Sequence, residues 1–163
     1  MLVKKAGLNP HSKVLDVGCG AGKVLVCAAL GYGIKHVLGV EMVAYRVHTA
    51  RAVLNLVQKK LPDTVPALRN IQLLHSPVQT MNSWKGVTHV YSFDLGIPES
   101  VYSHLLRLWT ESPSCQYLVS YRPPRWLWKC GFDLDLLDKM RVKQRGTGGS
   151  SHTAYVYQKK KVD

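Results

Sequence analysis

Residues 14–23, with the sequence VLDVGCGAGK, predict a strand, a glycine turn and the start of a helix. The apolar, partly β-branched residues before the first glycine indicate a buried strand, and the apolar run after Lys23 indicates a helix. The glycines between them permit a turn that a Cβ would hinder: Gly18, Gly20 and Gly22. In such a corner, backbone N–H groups and the positive helix end face whatever lies above the strand, which suits a nucleotide.

Asp16 lies two residues before the first glycine and narrows the choice of ligand. A carboxylate at this strand end repels a pyrophosphate but attracts an ammonium or sulfonium group. The dinucleotide fingerprint places two residues between its last two glycines, whereas Ala21 alone separates Gly20 from Gly22. No Gly-Lys-Ser/Thr sequence follows, which excludes a Walker loop.

A second carboxylate, Glu41, ends the next predicted strand, 19 residues after Gly22. This separation is typical of one intervening helix and turn. The Asp-x-Gly-x-Gly-x-Gly pattern with Glu41 resembles the class I S-adenosylmethionine-dependent methyltransferases. The alternative is an ordinary tight turn and a solvated strand end. The resemblance implies S-adenosyl-L-methionine as cofactor, with Glu41 on its ribose hydroxyls. The implied cofactor-binding residues are Asp16, Gly18, Cys19, Gly20, Gly22, Lys23, Glu41, Met42, Ser76 and Pro77.

Alternating strand-like and helix-like segments surround these residues, which is the pattern of a parallel sheet with helices on both faces. Strands are predicted at 14–17, 36–41, 70–75, 87–94 and 116–121, and helices at 22–30, 45–60 and 99–110. Two last strands, 139–145 and 152–158, flank a glycine-rich connection and predict a hairpin. We therefore predict an α/β fold with a doubly wound, mostly parallel seven-stranded sheet of the Rossmann-like class I methyltransferase type and a C-terminal antiparallel hairpin.

Residues 90–99, VYSFDLGIPE, resemble the Asn-Asn-Phe-x-x-Gly-Pro-Glu segment of the disruptor-of-telomeric-silencing histone lysine methyltransferases. Residues 119–123, VSYRP, are similar to the strand of that family that ends in Ser-Ser-Lys-Pro. The resemblance implies a protein lysine as the methyl acceptor, in a histone of a nucleosome. An aromatic channel would lower the pKa of that lysine by desolvation. The predicted catalytic residues are Ser92, Phe93, Asp94 and Tyr121, with Trp126 as a further candidate for the channel lining.

Three departures from that family pattern matter for the assignment. Ser92 stands where the family has an asparagine, and Ser76 where a carboxylate normally meets the adenine amine. Only about a dozen residues precede the first strand, where the family has a long N-terminal region. We expect one methyltransferase domain over residues 1–163, which is a compact divergent member of the family, a fragment, or a relative with another substrate.

Charge bears on the partner. The chain of 163 residues contains 22 Lys and Arg against 10 Asp and Glu, a formal net charge of +12. A domain this basic is drawn to polyanions, so nucleic acid, a nucleosome or an acidic protein surface is expected. Arg122 and Arg125 are either part of such a surface or solvated loop residues, and Arg46 is expected on a solvated helix face. The segment 126–128 forms either a substrate lid or a cover over the sheet edge.

Charge alone does not separate three functions: a protein lysine methyltransferase, an RNA or DNA methyltransferase, and a non-catalytic binding module with a methyltransferase fold. The absence of an Asn/Asp-Pro-Pro-aromatic motif disfavours methylation of nucleobase amines. The four cysteines form no Cys-x-x-Cys pair, so no metal is expected. No apolar stretch is long enough to span a bilayer, so no membrane contact is expected. We predict an intracellular protein, in the nucleus rather than the cytoplasm.

Overall fold

A seven-stranded sheet forms the centre of the fold in a computed structural model, which describes residues 6–143 and 151–161. The order across the sheet is β3-β2-β1-β4-β5-β7-β6. The strands are β1 (Lys13–Val17), β2 (His36–Glu41), β3 (Ile71–His75), β4 (His89–Ser92), β5 (Tyr117–Ser120), β6 (Leu134–Lys143) and β7 (Ser151–Lys159). The first five run parallel, and β7 runs antiparallel to β5 and β6. The predicted doubly wound sheet with a final antiparallel hairpin is confirmed.

Five α-helices connect or follow the strands. They are α1 (Lys23–Tyr32), α2 (Ala44–Lys60), α3 (Val65–Leu68), α4 (Tyr102–Thr110) and α5 (Pro124–Lys129). Short 3₁₀ turns occur at Pro62–Thr64, Val78–Thr80, Asp94–Gly96 and Glu99–Val101. Helix α5 is absent from the predicted elements, because a pair of prolines after β5 indicates only the end of that strand. The fixed φ of proline is also suited to the first turn of a helix, where Pro124 stands.

Strand alternation divides the apolar side chains between two clusters. Leu15 and Val17 of β1 join the larger cluster, which includes residues of α4 and α5, whereas Val14 joins a smaller cluster with Leu25 of α1 and Val37 of β2. The two faces of one strand thus contact different sets of helices. This packing holds the carboxyl ends of β1, β2 and β4 at one edge of the sheet.

The C-terminal hairpin is longer than predicted. Strand β6 begins at Leu134, five residues before its predicted start. The prediction placed the start too late because a register shift between Leu136 and Asp138 interrupts the alternation of side chains. The predicted end of this strand and residues 146–150 of the predicted connection lie outside the described residues.

Part of this hairpin projects beyond the sheet. Tyr155 pairs with Ser120, the last residue of β5, and the pairing of β7 with β5 ends there. The four residues of β7 that precede Tyr155, Ser151–Ala154, pair with β6 alone. At about 3.4 Å per residue, these four pairs extend about 14 Å beyond β5. We call residues 139–143 and 151–155 the arm, and it extends from the edge where the carboxyl ends of the parallel strands lie.

Candidate functional site

The glycine turn after β1 is held against the end of β2. The backbone N–H groups of Gly18 and Cys19 donate to the carbonyl oxygen of Val40 at 2.8 and 3.1 Å. Gly18, Gly20 and Gly22 have φ values of 75, 53 and 76°, in the left-handed region that glycine adopts without strain. Gly22 also immediately precedes α1. The predicted strand, turn and helix corner is confirmed as a local structure.

Gly39 of β2 allows the turn to approach this closely. A Cβ on Gly39 would lie 2.6 Å from Leu25 Cδ1 and 2.8 Å from Cys19 Sγ, shorter than any ordinary contact. Strand β2 therefore needs a glycine where the turn crosses it. In the sequence, Gly39 precedes Val40 and Glu41 in a run that is similar to the resembled family, but no packing role was predicted for it, although a glycine inside a strand is a signal of close backbone approach.

Glu41 is 2% exposed at the end of β2 and contacts the turn directly. Its Oε2 accepts a hydrogen bond from the N–H of Gly20 at 3.0 Å, and its Oε1 accepts one from the N–H of Val43 at 2.9 Å. Arg46 Nη1 lies 4.0 Å from Oε2. Arg46 is 61% exposed, as expected for a solvated helix face, and its side chain also extends from α2 towards the site. A carboxylate oxygen that accepts one N–H retains a lone pair for a ligand hydroxyl.

Asp16 is likewise 2% exposed, but no described residue donates a hydrogen bond to its carboxylate. Burial, and secondarily the charge of Glu41, raises its pKa from 3.8 to about 7. A buried carboxylate without a donor is costly, so this position favours a ligand that brings a cation or an N–H group. The same surroundings keep the nearby Cys19 thiol protonated, since burial and the two carboxylates raise its pKa to about 12.

A cleft of about 480 Å³ opens beside Glu41, large enough for a nucleoside-sized ligand. Asp16 and Pro77 do not line it. The predicted residues that line it are Gly18, Glu41, Met42, Ser76 and Phe93. Gly96, Ile97 and Pro98, from the segment 90–99 singled out in the sequence, also line it. Residues that sequence analysis missed complete the walls: Val17, Val40, Val43, Arg46, Val78, Gln79 and Val101. Most of the missed residues are apolar and follow strand ends, where no residue-type signal distinguishes a cleft wall from a loop.

The other predicted cofactor residues lie near the cleft without lining it. Cys19, Gly20 and Gly22 belong to the turn, and Lys23 is exposed at the first position of α1. Ser76, which does line the cleft, donates its backbone N–H to the Glu41 carbonyl oxygen at 3.0 Å, and its hydroxyl contacts Thr80 and the carbonyl oxygen of Pro77. Ser76, which stands where the resembled family has a carboxylate, thus connects β3 to the end of β2.

Ser92 and Asp94 have partners inside the fold. The Ser92 hydroxyl donates to the Val17 carbonyl oxygen at 3.0 Å. The Asp94 carboxylate accepts the Tyr121 N–H at 2.8 Å, the Tyr102 hydroxyl at 2.9 Å and the Ser120 hydroxyl. Both side chains are less than 5% exposed, and neither lines the cleft. These contacts join β4 to β1 and to β5, and the catalytic roles of the two residues remain predictions.

Aromatic rings occupy the space beside the cleft. The ring centroid of Phe93, which lines the cleft, lies 4.6 Å from that of Tyr121 and 5.5 Å from that of His152 in the arm. Tyr121 is 6% exposed, and its hydroxyl is 3.1 Å from the hydroxyl of Tyr91. Two of the predicted catalytic residues therefore lie together, and Tyr91 and His152 are members of the cluster that sequence analysis missed.

Arg122 and Trp126 pack against each other and against the loop that follows β4. The Arg122 guanidinium donates to the carbonyl oxygens of Leu95 and Ile97 at 3.3 and 3.1 Å, and it lies 4.5 Å from the Trp126 ring. Arg122 is thus half-buried and packed within the fold, and its contact with an anionic partner remains a prediction. Trp126 packs against Tyr102 at 4.3 Å, which agrees with a cover over the sheet rather than a lid.

Comparison with known proteins shows the fold. The family described as "Histone methylation protein DOT1" matches residues 1–64, which contain the glycine turn and Glu41. A search of curated proteins gave no match. Three solved structures resemble the chain. A magnesium protoporphyrin IX methyltransferase from Synechocystis PCC 6803 with bound SAM is 16% identical, with 98% of this chain and 74% of that chain covered and a TM-score of 0.68. An RNA methyltransferase from Salinibacter ruber with S-adenosyl-L-homocysteine is 16% identical (99% and 90% covered, TM-score 0.61), and a SAM-dependent methyltransferase from Aquifex aeolicus is 19% identical (96% and 87% covered, TM-score 0.66). The fold is therefore that of the class I methyltransferases.

No helix within the described residues combines the length and the apolar character that a membrane span requires. In the same part of the chain, no group of three or more His, Cys, Asp or Glu side chains could hold a metal ion.

Proposed function

We propose that this protein binds S-adenosyl-L-methionine and transfers its methyl group to a protein lysine, in a histone or nucleosome-like substrate. The observation that supports the cofactor most directly is the pair of buried carboxylates at the glycine turn. Asp16 has no donor from the described residues, and a ligand with an ammonium and a sulfonium group supplies the missing positive charge. Glu41 retains lone pairs for the two hydroxyls of a ribose.

The lysine assignment draws on the match of residues 1–64 to a family of histone methylation proteins. It also draws on the aromatic cluster of Phe93, Tyr121, Tyr91 and His152 beside the cleft. When bound, the cofactor supplies an electrophilic methyl group on a sulfonium sulfur. An ammonium has no lone pair with which to attack it, so the acceptor lysine first loses a proton. An aromatic, poorly solvated channel favours that loss because it lowers the lysine pKa.

Asp94 has an indirect role in this proposal. Its carboxylate is buried, does not line the cleft and accepts three hydrogen bonds from the fold, including the N–H of Tyr121, so it does not reach a substrate amine. We assign it to positioning Tyr121 and the loop that carries Phe93. Loss of the lysine proton to solvent then needs no general base from this chain.

RNA is the second candidate substrate. The formal charge of +12 favours a polyanion, and one of the structures with the same fold is an RNA methyltransferase. The proposed nuclear location follows from a chromatin substrate and would not follow from an RNA substrate.

Incubation of the purified protein with a methyl-labelled cofactor and, separately, with nucleosomes, free histones and total RNA tests the proposal. We expect label on lysine in the nucleosome or histone samples. Label on RNA alone would replace the lysine assignment by the second candidate. Cofactor binding without label on any sample would indicate a binding module.

Matched variants connect the signal to the site. Glu41→Ala should abolish cofactor binding in isothermal titration calorimetry, since it removes the carboxylate that contacts the turn. Glu111→Ala removes a 56% exposed carboxylate at the end of α4 and should leave binding unchanged. If the wild-type protein gives no heat with the cofactor, or if Glu41→Ala binds it normally, the proposed cofactor site is wrong.

A further inference from the structure

The arm carries three cations in a row on one of its faces. Lys139, Arg141 and Lys143 occupy alternate positions of β6, so their side chains lie on the same face of the strand. All three are exposed, whereas Met140 and Val142 between them are half-buried. In the described part of the chain, none of the three belongs to an ion pair. Their charges are therefore available to a partner.

The opposite face of the arm contacts the aromatic cluster. Val142 pairs with His152, so these two side chains lie on the same face of the hairpin. The His152 ring contacts Phe93 and Tyr121, which places this face towards the candidate site. A partner bound along the cations would therefore lie on the face of the hairpin opposite to the one that contacts the aromatic cluster.

The regular spacing of the cations on a paired strand suits a polyanion whose charges are also regularly spaced. Residues two apart in an antiparallel strand are about 6.8 Å apart, similar to the separation of adjacent phosphates along one strand of nucleic acid. The backbone of β6 is fixed by its pairing with β7, and Arg141 Nε donates to the Ser151 hydroxyl at 2.8 Å. A row of cations at regular spacing along a paired strand matches a repeating backbone better than it matches the irregular carboxylates of a protein surface.

We propose that the arm binds the phosphate backbone of a nucleic acid through Lys139, Arg141 and Lys143. The contact is to phosphates, so it is independent of base sequence and sensitive to salt. Binding itself does not require methyl transfer. The further role, in which the arm holds a nucleic-acid-containing substrate such as a nucleosome against the cleft, rests on the proposed function.

Fluorescence anisotropy with a labelled 20-base-pair DNA and a 20-nucleotide RNA, measured over a range of salt concentrations, tests the proposal. The arm variant Lys139→Gln, Arg141→Gln, Lys143→Gln is compared with Arg51→Gln, Lys59→Gln, Lys60→Gln, which removes three exposed charges from α2. For DNA, the slope of log K against log salt is negative, and the arm variant should reduce its magnitude by about 2.7, or about 0.9 per phosphate contact. The α2 variant should change the slope little. A larger loss for the DNA or for the RNA identifies the preferred source of the phosphates.

Equal losses in the two triple variants would mean diffuse attraction by net charge and would overturn the proposal. Absence of nucleic-acid binding by the wild-type protein would do the same. Loss of poly-glutamate binding by the arm variant, with nucleic-acid affinity retained, would indicate an acidic protein partner instead.

The double variant Lys139→Gln, Lys143→Gln keeps the Arg141–Ser151 hydrogen bond, and its expected loss of slope is about 1.8. It shows the effect without disturbing the hairpin. Cofactor binding measured by calorimetry on the same samples separates the two proposals. If the wild-type protein does not bind the cofactor yet shows the arm-dependent salt slope, the proposed function fails and the arm proposal stands.

Discussion

Replacement of Asp16 by asparagine should make the ligand-free protein more stable at neutral pH and weaken its cofactor binding. In the folded protein, burial and the charge of Glu41 raise the pKa of the Asp16 carboxyl from 3.8 to about 7. A difference of roughly three pKa units corresponds to about 4 kcal/mol of unfavourable free energy for the ionised form in the folded state. The asparagine side chain has a similar shape and no charge, so it would not incur this cost.

The pH dependence has a definite sign. Because the folded state holds the proton more tightly than the unfolded state, the contribution of Asp16 to stability is fully present below pH 3.8. It is lost progressively as the pH rises, and the loss is complete once the pH passes about 7. The free energy of unfolding of Asp16→Asn, minus that of the wild type, should therefore rise by up to about 4 kcal/mol between pH 4 and pH 7 and then stay level.

Urea unfolding of both proteins at intervals between pH 4 and pH 8 measures this difference. Subtraction of the wild-type curve removes the contributions of groups that titrate identically in both proteins. Asp63→Asn is the matched control, because Asp63 is an exposed carboxyl in a surface turn away from the cleft. A difference for Asp16→Asn that is constant across this range would refute the inference that Asp16 is a buried, raised-pKa carboxyl.

A ligand cation should reverse the effect in the wild-type protein. A positive group beside Asp16 favours the ionised carboxylate, so cofactor binding releases a proton below pH 7. Affinity should rise with pH up to about 7 and then level off, and Asp16→Asn should lack this dependence. Calorimetry in two buffers with different ionisation enthalpies counts the released proton.

Two other substitutions test the architecture of the site. Asp94→Ala leaves the Tyr102 and Ser120 hydroxyls and the Tyr121 N–H without their buried acceptor. Urea unfolding should therefore show a free energy of unfolding that is lower by about 3 kcal/mol. A decrease below about 1 kcal/mol would contradict the described network. Gly39→Ala places a methyl group 2.6 Å from Leu25 Cδ1, so it should destabilise the fold by about 1–3 kcal/mol and weaken cofactor binding in calorimetry. Gly31→Ala in α1, where a Cβ meets no atom within 4 Å, should instead stabilise the fold by about 0.5–1 kcal/mol. Equal effects of the two substitutions would show that the turn tolerates displacement.

The sheet and the glycine turn were predictable from the sequence because their signals are local. Apolar, β-branched runs identify β1 and β2, and positive φ is needed at Gly18, Gly20 and Gly22, where the chain indeed has glycine. The terminal carboxylate of β2 was predictable for the same reason. These features depend on neighbouring residues in the chain and not on the rest of the fold.

Other parts of the site depend on contacts between distant residues. The partners of Asp94 come from α4 and from the end of β5, so its burial has no local signature. Arg122 was predicted on the surface because arginine usually is exposed, yet two carbonyl oxygens and the Trp126 ring surround it. The start of β6 was placed too late because the irregularity between Leu136 and Asp138 disrupts the period of two.

The position of β7 between β5 and β6 affects how this domain folds during translation. The last strand of the described residues fills an interior place in the sheet, and its Tyr157 is fully buried in the larger apolar cluster. The ribosome must add residues 121–159 after β5 before that cluster can close, which takes about 2–8 s at ordinary elongation rates. During this interval the nascent chain exposes the edge of β5, and a chaperone that covers such an edge would protect it from aggregation.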